Sequence, residues 1–289
     1  MDTLVPAGAA PVEVREIAVH GVRLSVALAG TGPVVVLLHG FPHTRELWSE
    51  VFGPLAERYR VVAPDLRGLG ASSRPEGGFD AATIGGDLEA LLDALSEPDA
   101  AVVAIDLSVP AALLFALRRP ERVRRLVLME SLAGPLPGAE DFLAGGPPWW
   151  FGFHAVPGLA ETVLSGHEAE YVGWFVDQGT HGRGIAPHLR AAFAEAYTGP
   201  EALRCAFGYY RAFPENARQL TEEAARTRLT VPAMTVGAHP VGDALERQLR
   251  PLADDLTTHL LPDCGHLIPL DRPRELVSLL LPFLESGNG

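Results

Sequence analysis

Short apolar runs alternate with amphipathic segments along the first half of the chain. The first two runs are separated by His20, Gly21 and Val22, a spacing that predicts a β-hairpin. The run at Val34–Leu38 is apolar throughout, as expected for a strand that is buried on both faces. The predicted strands of this half are Glu13–Val19, Arg23–Ala29, Val34–Leu38, Arg60–Ala63, Ala100–Ile105 and Val123–Met129.

Segments with helical periodicity lie between these strands. From Thr83 to Leu95, leucines recur on one face of a helix. The other helices predicted here are Trp48–Glu57 and Ala111–Arg118. Strands that alternate with helices predict an α/β protein with a mostly parallel, twisted sheet, helices on both faces and right-handed connections.

The alternation stops after residue 130 and resumes near residue 232. The interval begins with a stretch rich in Gly and Pro, contains most of the tryptophans, and shows no strand pattern, so it predicts a mostly helical cap. The elements predicted after it are strands at Pro232–Val236 and Thr257–Leu261 and helices at Gly242–Leu249 and Pro273–Leu284. The predicted division is a core formed by residues 12–134 and 216–286, with the cap at residues 135–215 between them.

Composition narrows the classes of partner. A chain of 289 residues, 47% of them hydrophobic, suits one α/β domain with an inserted subdomain. The formal net charge of −13 argues against nucleic acid and anionic membranes as partners. The chain has no lysine, which excludes Schiff-base chemistry on a lysine side chain. We expect a cytoplasmic protein with no membrane partner, since Met1–Pro11 lacks the basic region of a signal peptide and no run reaches transmembrane length.

Asp106 is the first candidate for chemistry. It follows the apolar run Ala100–Ile105 and precedes the helical segment Ala111–Arg118, and a strand, a sharp turn and a helix form the setting of a nucleophile elbow. Small residues, Ala104 and Ser108, flank it at minus two and plus two, so the strained turn is sterically allowed. A carboxylate there attacks carbon directly and forms an alkyl ester. The alternative is an aspartate that only caps the helix.

His266 is the candidate base. It lies in Asp263-Cys264-Gly265-His266, after the last predicted strand, where a loop histidine can reach the elbow. Its position fits the chain order nucleophile, acid, histidine. Backbone N–H groups of Phe41, after the third strand, and of Leu107, after the nucleophile, would form an oxyanion hole. The loop at residues 65–72 predicts a structural turn in which Asp65 pairs with Arg67.

Together these motifs resemble the α/β-hydrolase superfamily, and specifically its epoxide hydrolase branch. The motifs are His-Gly-Phe-Pro at residues 39–42, Asp-Leu-Arg-Gly-Leu-Gly-Ala-Ser at 65–72, the aspartate elbow at 106, and Cys-Gly-His at 264–266 ahead of Asp-Arg-Pro at 271–273. The resemblance covers the chain from about residue 13 to 285. It implies the α/β-hydrolase fold, with the helical cap inserted after the strand that follows the elbow.

The resemblance also implies two cap tyrosines that donate protons to an epoxide oxygen. Tyr171 matches a Tyr-x-x-x-Phe pattern, and Tyr210 matches Tyr-Arg, with Tyr209 as the alternative if the register is shifted by one. Many relatives place the acid of the triad in the loop after the strand that follows residue 230, where the expected position here is not acidic and Asp243 is the nearby carboxylate. Others place it at the end of the strand after the elbow helix, where Glu130 stands, so Glu130 is favoured over Asp243.

The function implied is the opening of an epoxide to a vicinal diol, without a cofactor or a metal. His266, held by Glu130, would activate the water that hydrolyses the Asp106 ester. Trp149, Trp150 and Trp174 in the predicted cap indicate a pocket for a small apolar or aromatic epoxide. The sequence leaves a homodimer open.

Two other functions remain open. A haloalkane-type dehalogenase shares the aspartate elbow, but the halide-binding tryptophan expected after the nucleophile is Leu107. A fluoroacetate-type dehalogenase would have arginines at Leu107 and Pro110. The departures at Ala104, Leu107 and Ser108 also fit a scaffold reused as a cyclase, an isomerase or a small-molecule binder.

Overall fold

One eight-stranded sheet organises the protein. The computed structural model describes residues 11–285. Its strands are β1 (Glu13–Val19), β2 (Val22–Ala29), β3 (Val34–Leu38), β4 (Arg60–Pro64), β5 (Ala100–Ile105), β6 (Val123–Met129), β7 (Ala233–Gly237) and β8 (Leu256–Leu260). They lie in the order β1-β2-β4-β3-β5-β6-β7-β8. The predicted hairpin β1–β2 and the pair β2–β4 are antiparallel, and all other pairs are parallel, so the mostly parallel sheet is confirmed.

The helices pack beside the sheet in two groups and above it in a third. They are α1 (Ser49–Ala56), α2 (Ala81–Ala94), α3 (Val109–Arg118), α4 (Trp149–Ala155), α5 (Leu159–Leu164), α6 (Glu168–Gly179), α7 (Pro187–Ala196), α8 (Pro200–Arg211), α9 (Phe213–Ala224), α10 (Ala244–Leu249), α11 (Ile268–Asp271) and α12 (Pro273–Glu285). Helix α1 packs on α11 and α12, whereas α2 packs on α3. Within residues 11–285, no helix is long and apolar enough to cross a membrane.

The central strands explain where the site forms. Every residue of β3 and β5 is buried, which accounts for their uninterrupted apolar sequences. Burying one such Val, Leu or Ile side chain contributes about 1.5–3 kcal/mol. The two strands are parallel neighbours, with Leu38 opposite Ala104. The segments that follow them, His39–His43 and Asp106–Ser108, therefore leave the sheet side by side at its carboxyl edge.

The segment between β6 and β7 contains helices α4 to α9 and, in the described chain, no strand of the sheet. Helix α8 packs on α4 and α5, whereas α9 packs on α2 and α3 of the core. The residue at which we expected the cap to end, 215, therefore falls inside a helix that packs on the core, and the change of packing partner comes at Ala212. The division into domains stays a prediction, and its end at residue 286 lies outside the described residues.

The expected pair of Asp65 with Arg67 is wrong. Arg67 donates from Nε and Nη2 to Asp87, at 2.5 and 2.6 Å. Asp65 instead accepts from the N–H and the guanidinium of Arg45, both at 2.8 Å, and from the N–H of Ala71 at 3.0 Å. This buried carboxylate thus fixes the loop after β4 against the loop after β3, which leads into the site.

We expect Asp65→Ala to lower the free energy of unfolding by about 3–5 kcal/mol, because it removes a buried carboxylate that is paired with the guanidinium of Arg45. Urea denaturation followed by circular dichroism measures this change. Glu13→Ala, which removes one half of the exposed Arg15–Glu13 pair, is the matched control and should leave stability within error. Equal effects of the two substitutions would contradict the role given to Asp65.

Candidate active site

Asp106 occupies a strained turn directly after β5. Its φ of +58° is unusual for a residue with a side chain, although aspartate tolerates it better than most. Ser108 supports the turn, since its hydroxyl lies 2.8 Å from the carbonyl oxygen of Ile105 and 3.0 Å from that of Leu38. A Cβ on Gly40 would lie 2.2 Å from Asp106 Oδ1, so the opposite loop can come this close only with glycine there.

The carboxylate of Asp106 faces the loop after β3. Its Oδ1 accepts a hydrogen bond of 2.7 Å from the N–H of Phe41. No hydrogen bond from the Leu107 N–H to this carboxylate occurs within the described residues, although Leu107 follows in the same turn. The side chain of Asp106 thus bonds across the sheet edge instead of to the helix that it precedes, which argues against a capping role alone.

His266 lies between two carboxylates. Its Nε2 is 3.4 Å from Asp106 Oδ2, and its Nδ1 is 3.3 Å from Glu130 Oε2. The side chains of Asp106 and His266 are 20% and 19% exposed, whereas that of Glu130 is fully buried. The geometry is that of a nucleophile, a base and an orienting acid.

Glu130 and Asp243, the two candidates for the acid, are placed very differently. Glu130 directly follows β6 with a φ of +42°, and its Oε1 accepts a 2.6 Å hydrogen bond from the N–H of Ala238 in the loop after β7. Asp243 is 53% exposed and lies 3.1 Å from Arg247 at the start of α10. The structure therefore brings Glu130, and not Asp243, to His266.

The tyrosines of the predicted cap differ in their surroundings and in the partners of their hydroxyl groups. Tyr210 is buried, its ring lies 5.8 Å from that of Phe41, and its hydroxyl makes no hydrogen bond within residues 11–285. Tyr209 points elsewhere, since its hydroxyl donates to the carbonyl of Arg67 at 2.9 Å. The hydroxyl of Tyr171 lies 2.6 Å from Nε2 of His154. The hydroxyl of Tyr171 is therefore engaged by a side chain that the sequence did not indicate.

His154 is that missed residue. It is fully buried on α4, stacks on Phe207 with ring centroids 4.1 Å apart, and lies 4.3 Å from the ring of Tyr210. Its Nδ1 has no hydrogen-bond partner in the described chain. The only sequence signal is its place at the end of an aromatic run, Trp-Trp-Phe-Gly-Phe-His, which indicates packing as readily as function.

The three tryptophans of the predicted pocket form the outer part of an aromatic cluster. Trp149 and Trp174 are 56% and 39% exposed, with ring centroids 5.7 Å apart, and Trp150 packs edge-on against Phe175. Trp149 also contacts Tyr171, at 6.5 Å between ring centroids. Aromatic rings thus extend from the surface of the predicted cap, through Tyr171 and His154, to Phe41, whose N–H binds Asp106.

Comparisons with known proteins agree with this geometry. The chain matches the family model of the alpha/beta hydrolase fold over residues 33–160. It is 31% identical to Cfl2 from Burkholderia cenocepacia, whose crystal structure superposes with a TM-score of 0.84 over 93% of this chain and 95% of that one. The chain belongs to the α/β-hydrolase superfamily, in its epoxide hydrolase-like branch.

Two further relatives of this enzyme carry an activity in their names. This chain is 28% identical over 285 residues to the soluble epoxide hydrolase of Corynebacterium sp. strain C12, and the alignment covers 92% of this chain and 94% of that protein. The Cif epoxide hydrolase from Acinetobacter nosocomialis is 25% identical in sequence to this chain. Its crystal structure superposes with a TM-score of 0.88 over 98% of this chain and 91% of that one.

The two carboxylates control the charge of His266. Burial would lower the pKa of His266, but hydrogen bonds to Asp106 and Glu130, together with their charges, outweigh burial and raise it to about 10. Burial would raise the pKa of Asp106, and His266 and the N–H of Phe41 reverse that effect and lower it. His266 is therefore a cation that is paired with the anionic carboxylate of Asp106.

This raised pKa predicts how stability depends on pH. A group whose pKa is higher in the folded state contributes stability that is complete below its unfolded pKa, about 6.5 for histidine, and is lost as pH rises through the folded value. We expect the free energy of unfolding of the wild type, minus that of His266→Gln, to decline between pH 6.5 and about 10. Urea denaturation across this range measures the difference. A constant difference would contradict the assigned pairing of His266.

Proposed function

We propose that the enzyme opens an epoxide to a vicinal diol through an alkyl ester on Asp106. The observation that carries this proposal is the pairing of an aspartate at the elbow with His266, whose other nitrogen faces buried Glu130. Serine at this position would perform acyl transfer, whereas a carboxylate forms its ester by attack on an alkyl carbon. The two relatives named as epoxide hydrolases support the same reaction.

The first step forms the ester. Oδ1 of Asp106 is occupied by the N–H of Phe41, so Oδ2 is the oxygen that attacks the epoxide carbon. The carbon–oxygen bond of the epoxide breaks, and its oxygen takes a proton from a cap residue. A neutral hydroxyl such as that of Tyr210, which has no protein partner in the described chain, is a suitable acid for this oxygen.

We assign the second proton donor to His154 in place of Tyr171. Burial lowers the pKa of His154 to about 3, so its ring is neutral. When its Nε2 accepts from the hydroxyl of Tyr171, its Nδ1 carries the remaining proton and is free to donate. Tyr171 then fixes the tautomer of His154, and the epoxide oxygen receives hydrogen bonds from His154 and Tyr210.

The second step hydrolyses the ester. Alkylation removes the negative charge of Asp106, which helps to raise the pKa of His266, so this pKa falls when a base is needed. His266 first loses its own proton, and the cap residue that protonated the epoxide oxygen regains one, so that His266 is neutral. Neutral His266 then takes a proton from water, the oxygen of that water attacks the carbonyl carbon of Asp106, and the N–H of Phe41 stabilises the oxyanion. The bond from this carbon to the alkyl oxygen breaks, that oxygen takes a proton from His266, and the diol leaves. The carboxylic acid of Asp106 gives its proton to His266, which restores the ion pair.

His266→Gln tests the covalent step, because without its base the enzyme should form the ester and fail to hydrolyse it. After incubation with styrene oxide, mass spectrometry of the Asp106 peptide should show a gain equal to one epoxide. Asp106→Asn is the control and should show none. Loss of halide from 1-bromobutane, with no adduct from epoxides, would instead favour a dehalogenase. No adduct with any probe and no diol from the wild type would favour a reused scaffold.

Tyr210→Phe tests the proton donor. We expect the rate of alkylation, measured in single-turnover experiments, to fall by roughly 10²–10⁴, the usual contribution of a positioned acid. Tyr209→Phe is the matched control, because its hydroxyl bonds to the backbone of Arg67, and its rate should stay near that of the wild type. Tyr171→Phe should slow alkylation less than Tyr210→Phe. An equal loss in both would show that Tyr171 is itself a donor.

A further inference from the structure

The loop that carries His266 is held by a short segment of the cap. This segment, residues 179–183, begins at the last residue of α6 and continues into the connection to α7, and we call it the cap clamp. The carbonyl of Gly179 accepts a 2.9 Å hydrogen bond from the N–H of Leu267. Nε2 of His181 lies 3.3 Å from the carbonyl oxygen of Cys264. The cap clamp therefore contacts the backbone on both sides of His266.

The closest approach is between two glycines. A Cβ on Gly265 would lie 2.3 Å from the carbonyl oxygen of Gly179, and a Cβ on Gly179 would lie 3.0 Å from Leu267. Neither position could take a larger residue without moving one of the two segments. The backbone next to His266 is thus packed directly against the backbone of the cap clamp.

Arg183 completes the contact through Asp271. Its Nε donates to Asp271 Oδ1 at 2.8 Å, and its Nη2 donates to Oδ2 of the same carboxylate. Asp271 Oδ2 in turn accepts a 2.6 Å hydrogen bond from the N–H of Gly265. The guanidinium also donates to the carbonyl of Asp263 at 3.2 Å. The two residues that flank His266 are therefore both held by the cap clamp. The N–H of Leu267 donates to Gly179 of the cap clamp, and the N–H of Gly265 donates to Asp271, which is paired with Arg183.

We propose that Arg183 positions the base of the reaction, by fixing Asp271 and through it the N–H of Gly265 beside His266. The inference rests on the proposed function, because it assigns His266 to the hydrolysis of the ester. His266 lies 3.3 Å from Glu130 and 3.4 Å from Asp106, near the upper limit of hydrogen-bond length. A small displacement of its loop would break one of these contacts, so the hydrolysis step depends on the cap clamp more than alkylation does.

The test separates the two chemical steps in Arg183→Gln. The side chain of Arg183 is 43% exposed, so its replacement is compatible with folding. With styrene oxide in single-turnover experiments, we expect ester hydrolysis to slow by roughly 10- to 100-fold, the scale on which misplaced catalytic groups lose rate. Alkylation should stay within about two-fold of the wild type. The alkyl-enzyme should then accumulate on Asp106, where mass spectrometry detects it.

Arg190→Gln is the matched control. Arg190 pairs with Asp177 in the same part of the predicted cap, and within the described chain it makes no hydrogen bond or ion pair with residues 263–267. Both rates should be unchanged in this variant. Asp271→Asn, which weakens the pair with Arg183, should shift the ratio of the two rates in the same direction as Arg183→Gln.

Three outcomes would overturn the inference. Equal slowing of both steps in Arg183→Gln would indicate a loss of active protein and no effect on His266. Accumulation of the ester in His266→Gln but not in Arg183→Gln or Asp271→Asn would leave the proposed function intact and contradict the positioning role alone. Absence of any ester in His266→Gln would overturn the proposed function, and the inference with it.

Discussion

The site depends on the negative charge of one carboxylate at the end of a buried strand. Asp106 follows a strand with no exposed residue, and burial by itself would favour its protonated form. The N–H of Phe41 and the cation on His266 keep it ionised, and therefore nucleophilic. His266 keeps its own charge because Glu130 faces its other nitrogen. The pKa of each group is thus shifted by the charge of its neighbour, towards the ionised form.

The sequence predicted the parts of the fold that apolar periodicity controls. Buried central strands such as β3 and β5 must be apolar at every position, so their bounds could be read directly. Asp106 and His266 were identifiable because residues that directly follow parallel strands meet at one edge of a sheet. Glu130 directly follows β6 and Asp243 lies between β7 and α10, and the direction of each side chain decides which one reaches His266. A one-dimensional pattern contains no information on those directions.

Contacts between distant segments were the hardest to predict. Asp65 and Arg67 are neighbours along the chain, yet each pairs with a charge 20 residues away, because buried charges take the partner with the best geometry. His154 was missed for a related reason. Its neighbours Phe207 and Tyr210 come from α8, and aromatic residues on both helices indicate only that the helices pack.

The loop after β7 contributes to the site through its main chain. The N–H of Ala238 bonds to Glu130 at 2.6 Å, and that of Val241 lies 3.5 Å from the same carboxylate. Every residue except proline has a backbone N–H, so binding Glu130 in this way does not require a particular side chain in the β7 loop. If Glu130, directly after β6, is the acid as proposed, then no side chain of the β7 loop has a catalytic role, and substitutions in that loop are free of the selection that such a role would impose. Sequence divergence between this enzyme and its relatives should therefore be greater in this loop than at the end of β6, even where the reaction is the same.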